Sequence, residues 1–579
     1  MQTMPTLDWI GKDKVINHHM DVPYRVLDKQ YTYGGDKSEN MIIHGDNLEA
    51  LKSLLPKYEG KVKCIYIDPP YNTGNEGWVY NDNVNDPKIK KWLGEVVGKE
   101  GEDLSRHDKW LCMMYPRLKL LQKLLSEDGA IFISIDDNEL YNLKMICDEI
   151  FGSNCFVSNV SWQRTYSTRN DSKGIVNEIE HVLVYSKNPD WQPQKLARTA
   201  EMDAKYKNPD NDVALWRTDN PYAPNAATHQ GMVYAIQHPI TGKMLYPSNG
   251  RCWPFQQQQM LEIMRGWCAY ELKDIDDAEK RAVVCGVPQE KVRNDVCAIV
   301  LSCSLEESKR SAERVYKRGQ WPRFFFTKNG LGGIARKTYL DSVGGKPPTN
   351  LWLHSDTGHT DEAAKIIKGI FAGRATFDTP KPPRLIERIL HIVGVEDDMI
   401  VLDAFAGSGT TAHAVLNKNK EDGGHRRFIL IEMGDYADTI TAERVKRVID
   451  GYGEGKSAVE GTGGDFTYYE LGQPLFSEDH QLNSEVPDEK ICEYIWYAET
   501  HTSYEPKDAP YYLGVANGTA YYFYYEKEAL CILNYAFLSH VQEKADHYVI
   551  YADQCTLSDD ELLKYGITFK KIPRDIARL

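Results

Sequence analysis

The chain has 579 residues, 42% of them apolar and 26% charged, enough to bury a large core and to hold about three or four domains. No apolar run approaches a membrane span, and Met1-Gln2-Thr3-Met4-Pro5 has neither the basic start nor the apolar core of a secretory signal. The net charge of −15 argues against a generic nucleic-acid glue, and 12 scattered cysteines without a C-x-x-C pair argue against zinc or disulfide frameworks, so no metal is expected and a reducing cytoplasm is the natural setting.

Residues 1–40 are mixed in character and read as an N-terminal arm that wraps the core or a partner subunit. Asn47 to Leu55 has the pattern of a short helix, and the apolar run Cys64-Ile65-Tyr66-Ile67 is a buried strand. That strand stops at Asp68-Pro69-Pro70-Tyr71-Asn72-Thr73-Gly74, the most informative stretch of the chain. Each proline fixes φ near −65° and has no N–H to donate. Carbonyls of Asp68 and Pro69 can then be held outward at a strand end, with an aromatic ring beside them. An amino group placed there meets acceptors from Asp68 and Pro69 while Tyr71 stacks on the ring that bears it. This geometry suits chemistry on the exocyclic amine of a flipped-out base.

Glu76 to Arg106 is polar with few apolar anchors; a loop that orders over DNA and a plain surface insertion are equal readings. Trp110 to Leu125 has helical spacing, Ala130 to Ile135 reads as a buried strand, and Glu139 to Phe151 as the next helix. Such alternation implies βα units and a mostly parallel sheet, an α/β fold. Trp162 to Lys173 is a polar, basic loop in which Arg164, Arg169 and Lys173 are candidates for lying against DNA. Glu180 to Lys187 is a strand; its His181 is at least as well read as a satisfied structural histidine as a pocket residue.

From about Trp191 to Gly345 the sequence turns irregular. Gln256 to Gln259 reads as the start of a helix toward Met264. Lys309, Arg310, Arg314, Lys317, Arg318 and Arg323 form a basic cluster followed by Phe324-Phe325-Phe326. A phosphate grip and a solvated helix face followed by a core strand are even alternatives. From Phe156 to Lys346 there are 27 Lys+Arg against 21 Asp+Glu, so the middle is locally basic, which is what phosphate neutralisation needs. It reads as a target-recognition region whose Arg, Lys, Asn and Gln would read base edges.

Met399 to Asp403 is a second apolar strand ending in an acid, and it runs through Phe405, Gly407, Ser408, Gly409 and Thr410 into a helical pattern. A glycine turn there lets the backbone approach a ligand closely. No lysine follows the glycines, so it is not a phosphate-binding P-loop. On this loop alone a dinucleotide site remains open, since Gly407, Gly409 and Ala412 fit its looser form. One strand later, Arg427 to Glu432 again ends in an acid, and Glu432 fits the carboxylate that meets ribose hydroxyls. Gly451 to Gly464 reads as a linker. Phe466 to Leu579 is acidic, with 9 Lys+Arg against 19 Asp+Glu, and suggests a small α/β domain that meets protein rather than DNA.

These residues resemble the amino-methyltransferases that use S-adenosylmethionine. The Asp403-to-Thr411 segment looks like their cofactor loop and Asp68-to-Tyr71 like their catalytic motif. The catalytic motif comes first and the cofactor loop follows 335 residues later, an order that resembles the beta class of DNA amino-methyltransferases. Asp46 resembles a residue near the cofactor adenine. Thr379 to Ile386 resembles the segment that packs on the cofactor methionine, with Lys381 either a contact to its carboxylate or a solvated surface lysine. The runs Pro5 to Lys12, Lys109-Trp110-Leu111, Tyr115 to Leu118 and Ile572 to Asp575 are similar to the modification subunits of Type III restriction systems.

The resemblance implies a Rossmann-like methyltransferase core in two halves, 41–190 and 347–465, an inserted target-recognition domain at 191–346, and a C-terminal domain at 466–579 for dimerisation or docking of a restriction subunit. It implies S-adenosylmethionine as cofactor, double-stranded DNA as substrate, and methylation of adenine N6, Asp68 rather than Ser at the first motif position favouring adenine. A cytosine-N4 enzyme, a methyltransferase for protein glutamine or RNA, and a non-catalytic specificity scaffold are the alternatives.

Overall fold

The computed structural model describes residues 6–73, 104–166, 175–394, 396–477 and 479–577. The chain divides into two compact units, Met1–Gln194 with Pro348–Leu579, and Lys195–Pro347.

The first unit is organised by a ten-stranded sheet. Its strands are β1 (Arg25–Tyr33), β2 (Met41–His44), β3 (Val62–Ile67), β4 (Leu125–Ile135), β5 (Phe156–Gln163), β6 (Ile179–Ser186), β7 (Leu351–Trp352), β8 (Ile400–Asp403), β9 (Arg427–Glu432) and β10 (Phe466–Pro474). They lie in the order β1-β10-β2-β9-β8-β3-β4-β6-β5-β7. From β10 to β4 every pairing is parallel. Both faces of such strands are covered, which is why β3 and β8 read as unbroken apolar runs and are buried throughout.

The two halves of the sequence meet where β3 pairs with β8, Val401 opposite Cys64 and Leu402 opposite Ile65. The acids that follow these strands therefore share one edge of the sheet. Around the sheet pack α1 (Asn47–Tyr58), α2 (Leu104–Leu124), α3 (Leu140–Phe151), α4 (Pro383–Val393), α5 (Thr410–Asp422) and α6 (Glu443–Asp450). Trp110, Leu111, Met114, Leu118 and Leu121 of α2 are all buried, as their spacing predicts. Leu125, expected at the end of that helix, instead opens β4 opposite Val62, before a register shift brings Ala130 opposite Cys64. Phe466 to Pro474, expected to begin the C-terminal domain, is a strand of the main sheet between β1 and β2. Beyond it a four-stranded sheet is formed by Tyr512–Ala516, Thr519–Phe523, His547–Ala552 and Ile567–Lys571, with Tyr522 and Tyr551 in its interior.

The second unit has its own core, built on Trp216, Trp253, Trp267 and Phe324 to Phe326. Its strands are short, Trp216–Asp219 being typical. Lys337 is fully buried, its Nζ donating to Asp210 at 2.5 Å, Asp212 at 2.6 Å and the Trp321 carbonyl at 2.8 Å. The chain enters and leaves this unit through one antiparallel rung, Leu196 and Lys346 exchanging both N–H···O bonds at 2.8 Å.

Among the described residues no helix is long and apolar enough to cross a membrane. The twelve cysteines are free.

Candidate active site

Asp68 follows β3 at the edge where the parallel strands end. The turn after it is pegged from below. Trp110 of α2 donates its indole N–H to the Pro70 carbonyl at 2.7 Å. Asn72 adopts a left-handed φ of 59°, which Asn tolerates better than most residues, and its side chain is buried. Its amide donates to the Arg106 carbonyl at 3.3 Å and to Glu139. Glu139 is itself buried and is met by His107 Nδ1 at 2.6 Å and Asn142 Nδ2 at 2.8 Å. These bonds fix the path of the backbone on both sides of Tyr71.

Above the turn lies a cluster of alternating charge. Lys381 Nζ donates to Asp68 Oδ1 at 2.7 Å, Oδ2 at 2.6 Å and the Tyr71 hydroxyl at 2.8 Å. The single Tyr71 hydroxyl hydrogen is within reach of Asp68 Oδ1 at 2.9 Å and Glu180 Oε2 at 3.1 Å. Arg164 Nη1 donates to Glu180 Oε1 at 3.1 Å. Arg164, expected against DNA, thus faces this cluster. Two carboxylates and two cations balance one another. Burial raises the Asp68 carboxyl above its usual range, against the pull of Lys381 and with help from the Glu180 charge. Burial alone would lower Lys381, but the Asp68 and Glu180 carboxylates outweigh it and hold the ammonium above its ordinary value.

The glycine loop lies next to this cluster. Asp403 is buried, accepting from Phe405 N at 3.0 Å and from Thr411 Oγ1 at 2.5 Å, so it laces the start of the loop to the helix beyond it. Burial pushes its carboxyl up to about 7, the Asp68 and Glu432 charges adding to the effect against the two bonds. Gly407 and Gly409 take φ of 51° and 80°, conformations that L side chains enter only with strain. Glu432 clasps the loop from the next strand, accepting from Gly407 N at 2.7 Å and Gly434 N at 2.9 Å. Asp46 caps α1 by accepting from Leu48 N at 2.7 Å, and Asn47 donates to the Ala404 carbonyl at 2.8 Å. Arg444 of α6 is fully buried behind the loop, donating to Ser408 Oγ and Thr410 Oγ1, each at 2.8 Å.

The loop fits a small nucleoside cofactor. A Cβ at Gly407 would come within 3.0 Å of the Phe377 ring and one at Gly409 within 3.1 Å of the Thr441 carbonyl, so both positions are packed tightly enough to require glycine. Acids stand at the tips of β3, β8 and β9. A carboxylate at such a tip suits the hydroxyls of a ribose.

A family model described as DNA methylase matches residues 62–443, a span that holds both the Asp68 turn and the glycine loop. The chain belongs to this DNA methylase family. The chain is 33% identical over 476 residues to the Type III restriction-modification enzyme StyLTI Mod subunit of Salmonella typhimurium (strain LT2), covering 76% of this chain and 62% of that one. It is 29% identical over 460 residues to the Type III enzyme EcoPI Mod subunit of Escherichia phage P1, covering 74% and 63%. With the Type II methyltransferase M.KpnI of Klebsiella pneumoniae it shares 29% over 412 residues, covering 69% and 81%. The matched region spans less than two thirds of either Type III relative.

The remaining expected site residues fall as follows. Pro69 and Phe405 are buried beside their motifs. Arg318 is exposed in the last turn of the helix Leu305–Arg318, whose Lys309, Arg310, Arg314 and Lys317 are also exposed, while Phe324 to Phe326 form a buried strand. The cluster is thus an exposed helix face with the three phenylalanines buried in a strand behind it, an arrangement that serves either reading. Arg169, Lys173 and residues 76–103 of the polar stretch expected at Glu76 to Arg106 lie outside the described residues. His181 is satisfied by Asn159 Oδ1 at 3.1 Å and Asp137 Oδ1 at 3.0 Å. The sequence alone passed over Asn72, Glu139, Glu180 and Arg444. Only Asn72 carried a signal, as an Asn directly after a rigid Pro-Pro-Tyr turn.

Proposed function

We propose that the protein is a sequence-specific DNA methyltransferase that moves a methyl group from S-adenosylmethionine to N6 of an adenine flipped out of duplex DNA. We place it as the modification subunit of a Type III system or a stand-alone equivalent. The observation that carries this reading is the juxtaposition of Asp68 and Tyr71 with the glycine loop, on the tips of paired parallel strands.

Asp68 and the Pro69 carbonyl accept hydrogen bonds from the amine, which draws electron density onto the nitrogen. Tyr71 stacks on the base, its orientation set by the Trp110 bond to Pro70 and the Asn72–Glu139 peg. Glu180 and Arg164 hold the Tyr71 hydroxyl on its far side. Gly407 and Gly409 give the loop the turn that cradles the cofactor, with Glu432 toward its ribose, Asp46 toward its adenine and Lys381 toward its carboxylate. S-adenosylmethionine supplies an activated methyl group on a sulfonium. No residue of the chain needs to form a covalent bond to substrate; the work is positioning and preorganised charge. Basic residues of the second unit, Arg318 among them, neutralise phosphates, and its polar side chains read base edges. A homodimer and a helicase–nuclease restriction partner complete the assembly we infer.

The test is methylation mapping by long-read sequencing of DNA from a host expressing the chain, beside Asp68→Ala, with analysis of the modified nucleoside. N6-methyladenine at one short motif, absent in the variant, is expected. Full modification in the variant would sink the assignment, and N4-methylcytosine would reassign the base.

A further inference from the structure

Lys381 sits where the target amine belongs. Its ammonium donates to both oxygens of Asp68, at 2.7 and 2.6 Å, and to the Tyr71 hydroxyl, and it lies 5.0 Å from the centre of the Tyr71 ring. A base amine seeking Asp68 in front of the Tyr71 face would need the same acceptors. The seat admits one nitrogen at a time.

The segment that carries Lys381 also touches the glycine loop. The Lys381 carbonyl accepts from Thr410 Oγ1 at 3.1 Å, at the first residue of α5. The Phe377 ring backs Gly407. Between them Thr379 holds a φ of 49°, which a β-branched residue adopts only under strain. Local strain of this kind collects in segments that switch. Residues 377–381 therefore run from the cofactor cradle to the amine seat.

We propose that Lys381 is a seat-holder. Without cofactor its ammonium fills the amine position on Asp68. When cofactor occupies the loop, Lys381 passes to the α-carboxylate and leaves Asp68 open for the base. The proposal rests on the methyltransferase reading above. It makes Asp68 a competitor of the cofactor for one ammonium. A ligand that must first break such a contact binds more weakly by the fraction of molecules in which it is already broken. Coupling between the two sites is reciprocal, so the cofactor promotes capture of the base by the same factor by which a captured base promotes binding of the cofactor.

The experiment is calorimetric titration of S-adenosylmethionine into the full chain, without DNA, for the wild type, Asp68→Asn, Lys381→Met and the double variant. Asp68→Asn is expected to bind about 5-fold tighter or more than the wild type, the lower end of usual site–site coupling. Lys381→Met is expected to bind more weakly, and adding Asp68→Asn to it to give no further gain. A merely structural ion pair predicts the opposite for Asp68→Asn, a loss. Decarboxylated S-adenosylmethionine is the second probe: the wild type should prefer the intact cofactor and Lys381→Met should not. Binding to Asp68→Asn no tighter than to the wild type, or equal wild-type affinity for the two probes, overturns the seat-holder and leaves the methyltransferase reading standing. A wild type that binds no S-adenosylmethionine defeats that reading and the seat-holder with it.

Discussion

Tyr71 owes its position to buried neighbours, Asn72 and Glu139 among them. The amide of Asn72 holds buried Glu139, which also takes His107 and Asn142. Asn72→Ala removes a donor from a buried carboxylate, a loss worth roughly 1–3 kcal/mol. We expect a lower melting temperature and a slower methyl transfer with unchanged cofactor affinity, measured by thermal denaturation, single-turnover kinetics and calorimetry. Tyr71→Ala should weaken base capture through lost stacking by roughly 1–3 kcal/mol, read as fluorescence of 2-aminopurine at the target position. An unchanged signal there counts against flipping onto this ring. Asp403 gives a pH prediction. Its folded value of about 7 stands above the ordinary carboxylate value, so the folded state keeps a proton that the unfolded chain has lost. The stability this contributes is present in acid and is lost as pH rises from about 4 to about 7. Asp403→Asn can keep the bond from Phe405 N and reverse the other, its amide donating to Thr411 Oγ1, without the titration. Its melting temperature relative to the wild type should climb across that window and level off above it; a flat difference would remove the argument. The catalytic turn was legible because its chemistry is local, an acid, two prolines and a ring in a row. Glu180 and Arg444 were not, because a carboxylate on a strand and an arginine on a helix look the same in sequence whether they face solvent or the site.

Elements carry the second layer of the design. The parallel strands were readable from their unbroken apolar runs, and the acids after β3, β8 and β9 marked the edge where ligands gather. The pairing of β3 with β8 could not be derived from hydrophobic pattern, since both strands are apolar on both faces and neither specifies its neighbour. The strands of the second unit escaped for a different reason. Ile236–Gln237 and Met244–Leu245 have two residues each, too short to show a period. The glycine turn supplies the test at this scale. Gly409→Ala forces a side chain into a φ of 80° beside the Thr441 carbonyl. The backbone strain alone is about 1–2 kcal/mol. Cofactor affinity measured by calorimetry should fall by about tenfold or more, with a smaller effect on DNA binding. An alanine variant with native affinity would mean that the loop does not cradle the cofactor.

At the scale of the molecule, residues 195–347 are a unit with a core of their own. Expressed alone, this segment should unfold cooperatively. Within it Lys337 is buried against Asp210 and Asp212. Lys337→Ala would strand two acids without their cation, a loss of about 3–5 kcal/mol. Denaturant titration of the isolated segment should show that loss, and a variant as stable as the parent would show that the cluster is not what holds the unit together. The Leu196–Lys346 rung has a consequence for descent. A stretch that departs and returns through one pair of residues can be traded between genes as a single contiguous piece, with both crossovers falling at the same spot in space. A lineage can in this way replace whatever this unit does in a single recombination, inheriting the rest of the chain unchanged.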